Sequence, residues 1–466
     1  MKRKYISNNP SNSRLIIFFT GWSTDYKILN EVTVPLDYDI ICVWGYENLN
    51  WAPLDKTYQE IVIIGWSFGV AIANSLYSII NRNKNVTGVY AINGSRQPID
   101  DNLGIPTEIF NATLNTLSER NLYKFRIRIS GGLKKYEEAS GKLKTDADLE
   151  QLRNELKFFA DKKFFNHPDN VWDYVFISES DKIFPLKNLK ESWSDTPHKI
   201  IQEEHLPDFQ KIFNLIIKDK RIISRNFENS VSTYESNADI QKRSINNLIS
   251  LLAKETLRPD DILEIGTGSG YLTRKILYEY PNAKITSIDI SDVAFPNKDV
   301  DFIKGDAECV LKDYLSESTD LIVSGSTFQW LHSPMKVLME CNRILRKGAT
   351  MAFSTYLTGT FQELTEVSGN SLLYLSEEQW KMLAEKAGFK IEVSQAKNYT
   401  LQFDTINDLF HHLKSTGVNG LGGKNKNVRE LREIIRTYPM KEGKYPLTYV
   451  SYIMILKKEY KSSFQI

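Results

Sequence analysis

Cysteine is scarce: Cys42, Cys309 and Cys341 are the only three in 466 residues. An odd number of thiols so far apart supports neither a disulfide framework nor a zinc knuckle, and no metal site is expected. An excess of one charge is missing too. Lys and Arg number 59 against 58 Asp and Glu, a formal net charge of +1, so no global field argues for nucleic acid or an acidic membrane surface as partner. No stretch approaches the roughly 18–20 apolar residues of a membrane span. Met1 to Ser13 is polar and basic with no apolar run behind it, unlike a signal peptide. What is present, 41% hydrophobic and 12% aromatic residues, suffices for ordinary cores and excludes a mainly disordered chain. A cytoplasmic protein of two ample domains is expected.

Strand-like apolar runs recur through the first half at Leu15–Phe19, Ile40–Val43, Ile61–Ile64, Val89–Ile92 and Val175–Ile177. Helical patterns such as Val70–Ile80 lie between them, which predicts α/β architecture with a mostly parallel sheet covered on both faces. Residues 101–170 break that rhythm, being richer in helix formers and charge, and read as a helical cap inserted over one end of the sheet. A second alternating series begins after residue 255: Ile262–Ile265, Lys284–Ile288, Val300–Ile303, Leu321–Ser324 and Thr350–Phe353. A strand-free helical stretch, about 206–254, separates the two. The boundary is placed near residue 218, giving domains 1–217 and 218–466. Their motifs differ, so duplication is not the origin of the pair.

In the first half a buried strand runs into Gly65-Trp66-Ser67-Phe68-Gly69, and the helix Val70–Ile80 follows at once. This is G-x-S-x-G in the strand–turn–helix context that it needs. The turn is so sharp that side chains two before and two after the serine would collide, hence the glycines. It lifts the Ser67 hydroxyl and brings the Phe68 N–H to a helix start, where an oxyanion can be stabilised. A lone serine is a poor nucleophile, so a base and an orienting acid must follow, in the order Ser, Asp/Glu, His. Of the six histidines, His167 precedes the best acid, His198 opens a short strand (Lys199–Gln202), and His332, His411 and His412 belong to the other half. His205, in the loop after that strand, is the expected base. Asp181, after strand Trp172–Ile177, is the expected acid, with Glu179 as its rival. The turn after the first strand, Thr20-Gly21-Trp22-Ser23, would supply the second oxyanion N–H, from Trp22. These parts specify hydrolysis of an ester or thioester.

In the second half Glu264-Ile265-Gly266-Thr267-Gly268-Ser269-Gly270 follows a strand and opens the helix Leu272–Tyr280. Glycines let a ligand approach the backbone, and the helix start offers unpaired N–H groups. The spacing is G-x-G-x-G behind an acid, unlike the G-x-G-x-x-G of a dehydrogenase. The next strand ends in Asp289, placed to accept from both hydroxyls of a ribose. The one after ends in Gly305-Asp306-Ala307-Glu308, which sets an acid near an exocyclic amine. With no Walker-type lysine, the pattern resembles class I methyltransferases that bind S-adenosyl-L-methionine, held by Glu264, Gly266, Gly268, Gly270, Asp289, Asp306 and Ala307.

Two closer resemblances cover nearly the whole chain. The second half is similar to the malonyl-[acyl-carrier protein] O-methyltransferase of biotin synthesis (BioC). The matching residues are Phe227, Tyr234, Ala238 and Gln241 ahead of the glycine loop, Gln329-Trp330, Phe353-Ser354-Thr355-Tyr356, Gly359 to Leu364, and His412 to Asn419. Gly325 stands where that family usually has asparagine. The first half resembles the BioG type of pimeloyl-[acyl-carrier protein] methyl ester esterase, an α/β-hydrolase, through Gly21-Trp22, Gly65 to Gly69 and His205-Leu206-Pro207-Asp208-Phe209. Here Thr20 replaces the histidine that many α/β-hydrolases carry.

The resemblance implies a bifunctional biotin-precursor enzyme. Methylation would remove a terminal charge that apolar acyl channels tolerate poorly, and ester cleavage after chain extension would restore it. Tyr234, Gln241, Trp330 and Tyr356 are the candidate walls of the acceptor pocket. The cap would reject the short ester, which has about four fewer methylenes. Acyl carrier protein is the implied partner. Arg126, Arg128, Lys134, Lys135, Lys142 and Lys144 are candidate docking residues on one half, and Lys424, Lys426, Arg429 and Arg432 on the other. Two alternatives stand beside this: a general carboxylesterase fused to a natural-product methyltransferase, and a methyltransferase with a non-catalytic hydrolase scaffold.

Overall fold

The computed structural model describes the chain except residues 84, 162–170, 256, 293–297, 370, 418–427 and 460–466. It divides into two compact units, Met1–Phe213 and Asn214–Ile466. No helix among the described residues is long and apolar enough to cross a membrane.

The first unit is built on strands β1 (Lys2–Ser7), β2 (Arg14–Phe19), β3 (Tyr38–Trp44), β4 (Glu60–Trp66), β5 (Val86–Ile92), β6 (Tyr174–Ser178) and β7 (His198–Ile201). Their spatial order is β1-β3-β2-β4-β5-β6-β7. Strands β2 to β7 are parallel, and β1 pairs antiparallel at the edge of β3. The interior strands are near-continuous apolar runs, RLIIFF in β2 and EIVIIGW in β4, as burial on both faces requires. The order reverses between β2 and β4, so the loops leaving their carboxyl ends open a crevice there. Helix α1 (Phe68–Ile80) leaves β4 at that point.

Residues 101–160 form helices α2 (Thr107–Asn115), α3 (Glu119–Ile129), α4 (Leu133–Ala139) and α5 (Leu149–Ala160). Phe110, Leu122, Leu152, Leu156 and Phe159 project from them into the main core of the unit. His167 and the end of the expected cap lie outside the described residues. Helix α6 (Leu186–Ser192) follows β6, and α7 (Phe209–Ile216) runs across the division between the units.

The second unit begins with helices α8 (Lys220–Asn237) and α9 (Asp239–Leu252). Its alternating series is β8 (Asp261–Ile265), α10 (Tyr271–Glu279), β9 (Lys284–Asp289), β10 (Val300–Lys304), α11 (Ala307–Val310), β11 (Thr319–Gly325), α12 (Pro334–Ile344) and β12 (Leu345–Tyr356). Helices α13 (Gln362–Ser368) and α14 (Glu377–Lys386) lead to β13 (Phe389–Phe403), α15 (Ile406–Ser415), α16 (Val428–Thr437) and β14 (Tyr445–Lys458). The order β10-β9-β8-β11-β12-β14-β13 reverses between β8 and β11, with only β14 antiparallel to its neighbours. This is the class I methyltransferase arrangement. All ten expected strand runs fall on strands, and the expected short strand Lys199–Gln202 overlaps β7; β1, β13 and β14 are additional.

Candidate active sites

In the first unit the β4–α1 turn holds Ser67 at φ 56°, ψ −127°, a left-handed conformation that costs a non-glycine residue about 1–3 kcal/mol. Packing enforces it. A Cβ on Gly69 would lie 2.2 Å from the Phe19 carbonyl oxygen, and one on Gly65 2.7 Å from Val70 Cα, so the turn closes onto β2 only with glycine. The Ser67 hydroxyl lies 3.0 Å from His205 Nε2, and His205 Nδ1 lies 2.8 Å from Asp181 Oδ2. Because a carboxylate only accepts, Nδ1–H donates to Asp181, which leaves Nε2 to accept the Ser67 proton. The second Asp181 oxygen, Oδ1, accepts the N–H groups of Ile183 (2.7 Å) and Phe184 (3.0 Å). Both side chains of the His205–Asp181 hydrogen bond are almost fully buried. Ser67, Asp181 and His205 thus come together; Glu179 is not part of this line.

Four residues that the motif reading passed over hold the histidine. Trp66 Nε1–H donates to the His205 carbonyl (2.9 Å), and so does the Asn93 amide (2.9 Å). The same amide reaches Ser178 Oγ, and Asn93 Oδ1 accepts the Ser178 N–H. The Phe184 ring lies parallel to the imidazole with centroids 5.9 Å apart. Asn93, at φ 45° in Ile92-Asn93-Gly94, shows the one sequence signal available: asparagine tolerates left-handed backbone just past a strand.

Gly21 packs on the nucleophile, a Cβ there lying 3.1 Å from Ser67 Cβ, so the Gly21–Trp22 backbone borders the hydroxyl. The Trp22 indole N–H donates to Leu152 O on α5 (2.9 Å), and its ring meets Phe125 of α3 edge-on at 4.9 Å. Phe68 begins α1, an end whose N–H groups lack intrahelical acceptors. Its ring stacks on Phe159 (4.3 Å) and approaches Phe110 (6.2 Å). The cap therefore packs apolar rings on Phe68, the residue after the serine. Of the basic cap residues, Lys135 pairs with Glu204 and Lys142 with Glu31, while Arg126 is partly buried, its guanidinium pKa lowered by desolvation. That face carries mixed charge. Lys424 and Lys426 lie outside the described residues, and Arg429 and Arg432 are exposed.

In the second unit a cleft of about 850 Å³ opens at the β8–β11 reversal, and Gly266, Gly268, Asp289, Asp306 and Ala307 line it. Gly270, at φ 74°, caps the start of α10. Gly268 is left-handed (φ 52°), and a Cβ there would meet nothing within 4 Å; its missing side chain is part of the open space. Asp289 accepts the Gly268 N–H at Oδ2 and the Ser291 N–H at Oδ1, both 2.8 Å. Burial raises its pKa against these bonds, and each oxygen keeps acceptor capacity for a further donor. Such a cradle, with a two-oxygen acceptor beside it, fits a nucleoside with vicinal hydroxyls. S-adenosyl-L-methionine is the cofactor of this fold, and when bound it supplies an electrophilic methyl group.

Glu264 is not among the residues lining the cleft. Its Oε2 accepts from Thr273 (2.7 Å) and Ser287 (2.8 Å), while Oε1 has no partner. Burial pushes its carboxyl up to about 7, opposed by those two hydroxyls. Thr267 in turn donates to Ser287 (2.9 Å), so Glu264 braces the glycine loop from beneath. Lys220, also lining the cleft, had no motif to flag it. Its ammonium lies 2.9 Å from Asp306 Oδ2 and 2.8 Å from Glu308 Oε2. Burial opposes ionisation of Glu308, but Lys220 and then His332 outweigh it and hold the carboxyl well below the usual range.

A second cavity of about 360 Å³ shares Phe227, Tyr234, Ser326 and Trp330 with the cleft and continues past Gln241 and Tyr356. All four expected acceptor-pocket residues line it. Tyr374 and Tyr449 join them, both beyond the segments that the motif reading used.

Known proteins resemble both units. Residues 1–213 match the family model described as pimeloyl-ACP methyl esterase BioG, and residues 263–353 match a methyltransferase domain. A malonyl-[acyl-carrier protein] O-methyltransferase from Bacteroides fragilis is 29% identical over 96% of this chain and 94% of its own. One from Brevibacillus brevis is 32% identical over 49% of this chain and 93% of its own. A crystal structure of BioG from Haemophilus influenzae is 28% identical, covering 44% of this chain and 94% of that one, at a TM-score of 0.39. The chain belongs to the malonyl-[acyl-carrier protein] O-methyltransferase family, as a fusion in which a BioG unit precedes the methyltransferase unit.

Proposed function

We propose that one chain esterifies the free carboxylate of a malonyl thioester and, after chain extension by other enzymes, hydrolyses the resulting pimeloyl methyl ester. Both substrates would be carried on acyl carrier protein. The observation that carries this reading is the presence, in a family member with a methyl-donor cleft, of a continuous hydrogen-bonded line from Ser67 through His205 to Asp181.

In the first unit Ser67 Oγ attacks the ester carbonyl as His205 Nε2 takes its proton. Asp181 stabilises the resulting imidazolium. The N–H groups of Phe68 and Trp22 receive the oxyanion, a contribution of about 2.7–4 kcal/mol per donor in comparable sites. His205 then returns the proton to departing methanol, and water releases the acid from the acyl-enzyme by the same route. Phe110 and Phe159 support a length filter, since their rings flank Phe68 next to the nucleophile. With each methylene worth roughly 1–3 kcal/mol in an apolar slot, a seven-carbon chain would be cleaved in strong preference to a three-carbon one. That difference keeps one chain from undoing its own methylation.

In the second unit the acceptor carboxylate is already a nucleophile, so the residues need only align it and exclude water. Mass spectrometry of malonyl-acyl carrier protein incubated with S-adenosyl-L-methionine and the Ser67→Ala protein tests the whole scheme. The expected product carries one added methyl group. An unmodified carrier refutes the methylation, and equal cleavage rates for methyl malonyl and methyl pimeloyl thioesters refute the length filter.

A further inference from the structure

Among the described residues, none that lines the acceptor pocket is cationic, which is unusual for a site proposed to take a carboxylate, where a bidentate arginine is the common solution. The pocket instead gathers phenols. Tyr356, Tyr374 and Tyr449 are buried and Tyr234 partly so; the Tyr356 and Tyr449 rings lie 5.7 Å apart. Ser326 donates its hydroxyl to Tyr356 Oη at 3.4 Å, which leaves the Tyr356 O–H to be given elsewhere. Gln241, 4% exposed, lines the same space with a buried Oε1 that has no partner. Behind them His412 Nε2 lies 2.7 Å from Tyr449 Oη. Burial pushes His412 down to about 4, so it adds no charge near neutral pH. Desolvation raises the pKa of all four phenols, which keeps them hydroxyl donors.

We propose that the acceptor carboxylate is gripped by neutral donors alone, the hydroxyls of Tyr234, Tyr356 and Tyr374, and that its counter-charge is the cofactor. This rests on the acceptor being a carboxylate. In the transfer one carboxylate oxygen gains the methyl carbon, the electron pair of the broken C–S bond stays on sulfur, and no proton moves. Both charges vanish together. A buried arginine would then be stranded beside a neutral ester, the costly half of a broken ion pair, whereas a phenol hydroxyl can donate to carboxylate and ester alike. The Coulomb attraction also acts across a wall that the two cavities share, in a desolvated space where it is weakly screened.

Rates of S-adenosylhomocysteine release on a malonyl thioester provide KM and kcat for the intact chain and for Tyr356→Phe, Tyr374→Phe and their combination. A hydrogen bond to a charged group is worth about a tenfold to hundredfold change. KM is expected to rise by about that factor in each variant, with calorimetric affinity for S-adenosylhomocysteine within about twofold of the intact chain. Unchanged KM overturns the tyrosine assignment. Should a variant fail to fold, the unaltered chain supplies the second test. Malonyl thioester is expected to bind about tenfold tighter beside sinefungin, whose amine carries the charge, than beside neutral S-adenosylhomocysteine; equal affinities overturn the cofactor's role as counter-charge. If the intact chain releases no S-adenosylhomocysteine at all with malonyl thioester, the carboxylate reading itself falls.

Discussion

The two units meet the same problem, a polar site inside an apolar fold, in opposite ways. In the first, each group of the relay has its partner within the unit: Ser67 with His205, His205 with Asp181, and Asp181 with two backbone N–H groups. In the second, the cleft and its surroundings keep acceptors open, on Asp289 and on Gln241. A site that does covalent chemistry with its own side chains must be finished before substrate arrives, because reorganisation at the moment of reaction would cost rate. A site that aligns two ligands must stay unfinished, since the ligands complete its hydrogen bonds. The first should therefore fail all at once when one member is removed. The second should lose affinity in portions.

The sharpest way to break this comparison is Ser67→Ala. Ester cleavage is expected to fall by at least about 10⁴-fold, with methyl transfer unchanged, and the double variant with His205→Ala should lose little more, because members of one relay are not additive. Asp181→Asn should cost about 10³–10⁴-fold in kcat, through the wrong imidazole tautomer. Next in size, Asp289→Asn should weaken S-adenosylhomocysteine binding by about 10–100-fold in calorimetry and leave ester cleavage alone. Asn93→Ala removes bonds that hold the His205 carbonyl rather than a reacting group, so kcat for the ester should drop only about tenfold.

The smallest expected effect compares one buried carboxyl in each unit. Burial pushes Glu155 up to about 8, with Glu47 adding to it, and Glu264 up to about 7. Both folded-state values lie above the unfolded one near 4.5, so the fold favours the protonated form. That stabilisation is complete below about pH 4.5 and is lost as pH rises through about 7 for Glu264 and about 8 for Glu155, on the order of a few kcal/mol. Thermal melts between pH 5 and 9 should show it. Glu155→Gln and Glu264→Gln should each flatten the decline that ends near the folded-state value of the carboxyl removed; curves parallel to the parent would dismiss the assignment.

The parallel strands were legible because each is a short apolar run bounded by turns, and the elbow because glycine at 65 and 69 is a steric demand of one backbone shape. Asp181 could be preferred over Glu179 by position alone, but the choice became definite only with the loop fold that turns Oδ2 toward His205. Strand β1 was not read as one: KRKYIS is a half-exposed edge strand with no apolar run. Strands β13 and β14 form a long antiparallel pair, β13 half-exposed at the sheet edge and β14 buried between it and β12, with no turn close by in the sequence to announce a hairpin. Glu264 shows the reverse case. Its place before the glycine loop suggested a ligand to the cofactor, whereas the sheet turns its carboxylate toward Thr273 and Ser287, since successive strand residues face opposite sides.

Local sequence, by itself, determined the elements that need special backbone or long apolar runs: two parallel sheets, the serine elbow, the glycine loop and the order of the triad. These depend on sterics and burial within a few residues. Only the tertiary structure decided which hydroxyls, amides and carboxylates share a cavity. Tyr374, Tyr449, Asn93 and Lys220 reach their sites from segments far apart in the chain, and such meetings follow from packing over the whole unit, which no local pattern encodes.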